Sequence, residues 1–131
     1  MALHHGLMNA PQPSRWAWLF FGQATLVVTA SVLATTGHLP TTLFRPPFDK
    51  VGHLLAYGGL AFFGVAFFGT RRRWRVVATL LVLATVEELS QRCFATRTFD
   101  LGDMAMNALG ICAFGACFRS RPGLVTAKPA Q

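Results

Sequence analysis

Residues 71–92 read RRRWRVVATLLVLATVEELSQR: four arginines around a tryptophan, an apolar run, then two adjacent glutamates. A basic anchor followed by an unbroken apolar run is how a helix enters a bilayer. Counted at 1.5 Å per residue from Arg75, Glu88 lies roughly 20 Å along the helix, inside a hydrocarbon core of about 30 Å. A carboxylate at that depth must face the bundle, a partner or water. Glu, Leu, Gln and Arg favour helix and no Gly or Pro intervenes, so the helix is expected to run to about Phe94.

Three more apolar stretches flank this one. The first, 16–36, follows Arg15 and is closed by Gly37 and Pro40, and it is too long for the usual apolar part of a cleaved signal peptide. The second, 51–69, follows Pro46-Pro47, with Asp49 placed as N-cap or first-turn acid. The fourth runs over 101–118. The expected fold is all-α, an integral membrane bundle of four transmembrane helices over 16–118, with segment 1–15 before it and tail 119–131 after it. Short loops make consecutive helices antiparallel neighbours.

The composition agrees, with 53% hydrophobic and only 13% charged residues. The net charge of +7 does not indicate nucleic acid, because the bases flank apolar runs instead of covering a soluble face. The three cysteines, Cys93, Cys112 and Cys117, have no metal-ligand spacing, and neither a metal nor a cofactor is expected. Orientation follows from Arg15, the Arg71–Arg75 cluster, and Arg119, Arg121 and Lys128, which an even number of spans puts on one side. Both termini are therefore expected in the cytoplasm, with the chain crossing the cytoplasmic membrane several times. All five acids fall on the other side, in company with Arg45, Lys50, Arg92 and Arg97.

Measured from their basic anchors, Tyr57, Glu88 and Asn107 reach one height, and His53, Gln91 and Asp103 a second one above it. Within each helix they share a face: Asp49, His53 and Tyr57 at steps of four, Glu88 and Gln91 at three, Asp103 and Asn107 at four. Glu87 points about 100° away from Glu88, toward a different neighbour or the interface. Any one of these residues reads as interhelical glue, Tyr57 with Asn107 or His53 with Asp103. Together they are more than packing needs, and ionisable groups at membrane depth mark functional sites.

The pattern Asp49-Lys50, His53 and Tyr57, then Glu88 and Gln91, then Arg97, then Asp103, Asn107 and Gly110, resembles the VanZ-like family of small bacterial membrane proteins over about residues 48–115. Gly115 follows Gly110 by five residues, where the family more often has four. The resemblance implies the bundle and this set of positions, and it links the chain to low-level resistance to the glycopeptide teicoplanin without implying a reaction. The candidate site is thus Asp49, Lys50, His53, Tyr57, Glu88, Gln91, Arg97, Asp103 and Asn107. The first expectation is an outward-facing pocket for a lipid head group or other envelope-active amphiphile, with Arg97 and Lys50 drawing its phosphate or carboxylate. The alternative is an accessory subunit held among other membrane proteins by its apolar faces. An intramembrane enzyme acting on a lipid-linked substrate, with Glu88 or Asp103 as base, His53 as its partner and room for a divalent cation between carboxylates, comes third, because no nucleophile motif or His-rich metal motif is present.

Overall fold

The computed structural model describes residues 14–40, 42, 45–93 and 99–118. Arg97, the segment before Ser14 and the tail after Phe118 lie outside the described residues, and so do the expectations placed on them. Four α-helices are present and no strand among the described residues: α1 (Arg15–Thr35), α2 (Phe48–Phe68), α3 (Arg73–Ser90) and α4 (Leu101–Ala116). The helices α1 and α2, with 21 residues each, are long and apolar enough to cross a membrane, and α4 is a shorter apolar helix.

The boundaries follow local chemistry. Helix α2 starts at Phe48, directly after Pro47, so Asp49 sits in its first turn and not at its cap. Gly69 ends it at φ 89°, a backbone conformation open to glycine, and begins the turn into α3. At the far end of α3 the hydroxyl of Ser90 donates to the Glu87 carbonyl at 2.6 Å. Such a side-chain bond competes with the helical ladder. The chain tightens there into a 3-10 turn, Gln91–Cys93, instead of continuing as α-helix toward Phe94. Helix α4 is capped by Asp100, whose carboxylate accepts the Gly102 amide at 2.6 Å.

Pairings along the helices fix their directions. Lys50 meets Asp103, Leu54 meets Gly110 and Gly58 meets Phe114, so α2 and α4 run parallel, in the most extensive contact of the fold. Helix α3 runs against α4, with Glu88 at Asp100 and Val77 at Gly115. Helix α1 runs against α2, stacking Phe20 on Phe67 and sending the Gln23 amide to the Ala56 carbonyl at 3.2 Å. One end of the bundle carries Trp16, Phe62, Phe68, Arg73 and Trp74, with the Arg73 guanidinium over the Trp74 ring and donating to the Phe118 carbonyl. The other end carries the acids.

The core is small: Tyr57, Leu60, Ala61, Val77, Leu80, Ala84 and Ile111. Around it the usual pattern is inverted. Trp18, Phe21, Leu26, Val82, Val86 and Leu109 are exposed, while Glu88, Gln91, Asp103 and Asn107 are buried at 0, 2, 4 and 1% exposure. Water as solvent selects against that distribution, and lipid selects for it.

Candidate functional site

Two helix starts build the acidic end. Asp49 and Lys50 lie in the first turn of α2, and Asp100 and Asp103 at the start of α4. The positive ends of both helix dipoles therefore meet the carboxylates. The Lys50 ammonium bonds to Asp100 and Asp103 and lies 3.6 Å from Asp49. That ammonium, hydrogen-bonded to Asp100, holds the Asp100 carboxyl below the ordinary aspartate value. Lys50 is thus engaged by carboxylates.

Behind this pair, His53 and Asn107 meet across the α2–α4 contact, with Nδ1 and Oδ1 3.0 Å apart. An amide oxygen only accepts, so the contact requires the tautomer with its proton on Nδ1, and a neutral ring in that tautomer keeps its lone pair on Nε2. That Nε2 looks toward Asp49 Oδ1 at 3.8 Å and Asp103 Oδ2 at 3.6 Å. Glu88, fully buried, accepts the Asp100 amide at 3.0 Å through Oε1. Its Oε2, like the Nδ2 of Asn107, makes no hydrogen bond.

A second group faces α1. The Tyr57 hydroxyl donates to Glu87 at 2.7 Å, and the Ser31 hydroxyl donates to the other oxygen of the same carboxylate at 2.6 Å. Gln91 adds a longer bond to Glu87 at 3.4 Å. Tyr57, expected in one layer with Glu88 and Asn107, instead partners Glu87, because the 100° step between adjacent helical residues turns Glu87 toward α1 and Glu88 toward α4. Sequence reasoning left Glu87 and Asp100 out of the site. Ser31, a hydroxyl inside an apolar span, was the available signal for Glu87, and the capping pattern before Gly102 for Asp100.

Between α1 and α2 lies a cleft of about 200 Å³. One wall is apolar, with Val27, Ala30, Ala34 and Phe48, and the other presents Asp49, His53, Tyr57 and Glu87. Asp103, Asn107, Glu88 and Gln91 sit behind that polar wall and are buried. Asp49, Lys50, His53, Asp103 and Asn107 therefore gather in one cluster, Glu88 borders it at Asp100, and Tyr57 and Gln91 attach to Glu87 beside it.

A family model described as VanZ/LLP1 matches residues 5–121 of the chain. No curated protein and no solved structure matches it.

Proposed function

We propose, on the premise that this chain belongs to the VanZ/LLP1 family, that it is a four-span protein of the bacterial inner membrane that binds the head group of an envelope amphiphile. The observation that carries this reading is the cleft itself, which is lined by apolar side chains together with the hydrogen-bonding Asp49, His53, Tyr57 and Glu87. An amphiphile has the same two halves, and a pocket that matches both needs no soluble domain. The four-span arrangement draws on the alternating helix directions and on the gathering of all five acids at one end, with Arg15 and the Arg71–Arg75 cluster at the other. Helix α4, at 16 residues, is short for a span, and the polar cluster at its start thins the apolar layer it must cross. A part in glycopeptide resistance follows from the same pocket, through binding of a lipid-like ligand at the outer surface.

Filling the cleft tests the reading without disturbing the polar network. In mild detergent the parent is expected to carry a phospholipid by native mass spectrometry, and the protein with Ala30→Phe is expected to lose it. Equal retention by both would overturn the proposal. The accessory-subunit reading draws on the exposed Trp18, Phe21, Val82 and Val86. A mass in gentle detergent larger than one or two copies of the chain would favour it.

A further inference from the structure

Lys50 and His53 divide the carboxylates between them. Lys50 takes Oδ1 of Asp103 and approaches Oδ2 of Asp49, which leaves Oδ2 of Asp103 and Oδ1 of Asp49 turned to His53. In the neutral tautomer that donates from Nδ1 to the Asn107 oxygen, the imidazole meets them with the lone pair of Nε2. In that tautomer three electron-pair donors converge. One ligand atom from each of Asp49, His53 and Asp103 lies within 4.8 Å of the other two. Ligands bound to one ion at about 2.1 Å stand roughly 3.0 to 3.4 Å apart, so small side-chain rotations close the difference.

The charge balance points the same way. With the His53 ring neutral, Asp49, Asp100 and Asp103 face a single ammonium, Lys50, which leaves two negative charges beside a cleft that also holds Glu87. Helix dipoles offset such an excess only in part. A further observation lies outside the three ligands. Asn107, 1% exposed and in contact with His53, keeps its Nδ2 without an acceptor, and Glu88, within electrostatic reach of His53 and Asp103, keeps its Oε2 without a donor. Buried polar atoms left unpaired beside converging ligands are the surroundings of a hydrated ion.

We propose that Asp49, His53 and Asp103 bind a first-row divalent cation of the Zn²⁺ or Mn²⁺ class, with Asn107 as the outer partner that fixes the imidazole. Two carboxylates with one imidazole suit these ions better than the softer ones that choose thiolates. From sequence a divalent cation between carboxylates enters only with the enzyme alternative and without assigned ligands, since these come from two helices and form no linear motif. Asp49 and His53 line the cleft, so the ion presents its remaining coordination positions there. An anionic phosphate head group is the ligand class that an acidic cleft takes up only through such a cation. This last step rests on the amphiphile reading above, while the cation site stands on its own geometry.

The test uses the full chain in mild detergent, stripped with chelator and titrated with Zn²⁺ by calorimetry and elemental analysis. One ion per chain is expected. Asp103→Asn and His53→Ala should each weaken binding by about 100-fold, and Asn107→Ala by about 10-fold while keeping all three ligands. Because His4 and His5 can collect metal, the ion is counted as the difference between parent and His53→Ala. Asp49→Asn, at the cleft edge, gives a second measure if His53→Ala loses helix content by circular dichroism. Co²⁺ substitution adds a visible absorption band that the Asn107→Ala protein should show shifted. Equal Zn²⁺ binding by the parent, His53→Ala and Asp49→Asn overturns the site. Retention of phosphatidylglycerol, measured with and without Zn²⁺, separates the two readings. Zn²⁺-dependent retention supports both, retention without any Zn²⁺ binding removes the cation and leaves the amphiphile, and Zn²⁺ binding without retention does the reverse.

Discussion

At Gly110 a methyl group would lie 2.3 Å from the Leu54 carbonyl oxygen and 3.1 Å from the Gly58 amide nitrogen, both backbone atoms. Backbone cannot swing aside as a side chain can, so Gly110→Ala must push α4 off α2. It is expected to cost about 1–3 kcal/mol, read as a lower unfolding midpoint in detergent. Gly22→Ala in α1 is the contrast, since nothing lies within 4 Å of its added carbon. It should leave the midpoint unchanged or raise it by up to about 1 kcal/mol through helix propensity. Tyr57 and Glu87 make a second test. Tyr57→Phe removes a hydrogen bond to a carboxylate and should destabilise by about 1–3 kcal/mol, whereas the same change added to Glu87→Gln should cost less. His53, Asp103 and Asn107 could be placed on facing stripes because steps of four share a face, but the meeting of His53 with Asn107 could not, since heights along the helices put them in different layers. The partner of Tyr57 was not legible either, because heights along a helix do not say which way round it a side chain points.

Helices α2 and α4 begin side by side, and the acids in their first turns serve the dipoles as well as Lys50. Asp100 carries a depressed pKa in the folded chain, caused first by its bond to Lys50. A depressed carboxylate contributes stability above its unfolded value and loses it as pH falls through the folded one. The window therefore opens below the ordinary aspartate value of 3.8. Asp100→Asn keeps a capping side chain and removes the charge. The parent should melt higher than this variant at neutral pH, and the gap should close as the pH is taken below that value. A gap that stays constant would mean that the cap alone matters. Element by element, the four helices could be read from apolar runs and their basic anchors. The end of α3 could not, because propensity favours helix through Gln91 and Arg92 while the Ser90 hydroxyl, bonded back to Glu87, tips the chain into a 3-10 turn.

Across the whole molecule, the three cysteines sit at three levels of the bundle. Cys93 is exposed in the turn after α3, at the acidic end, Cys112 is exposed in the last third of α4, and Cys117 is exposed just past its end. In the four-span arrangement a membrane-impermeant maleimide applied to intact spheroplasts should label Cys93, and Cys117 only after permeabilisation. Labelling of both from one side would reject that topology. The bundle and its polarity were legible in the sequence because lipid imposes a simple rule on composition. The cleft was not, since it depends on how far α1 stands from α2, a distance set by the Phe20–Phe67 stack, the Gln23 bond and Ser31 reaching Glu87. The tight crossing of α2 and α4 has one more effect. Gly110 lies seven residues from Asp103, roughly 10 Å along the helix axis. Outward from that crossing α4 carries Asp103, which meets Lys50 and His53 of α2. Bulk added at Gly110 is therefore expected to shift Asp103 relative to those partners, so that the spacing at the acidic end depends on a residue well away from it.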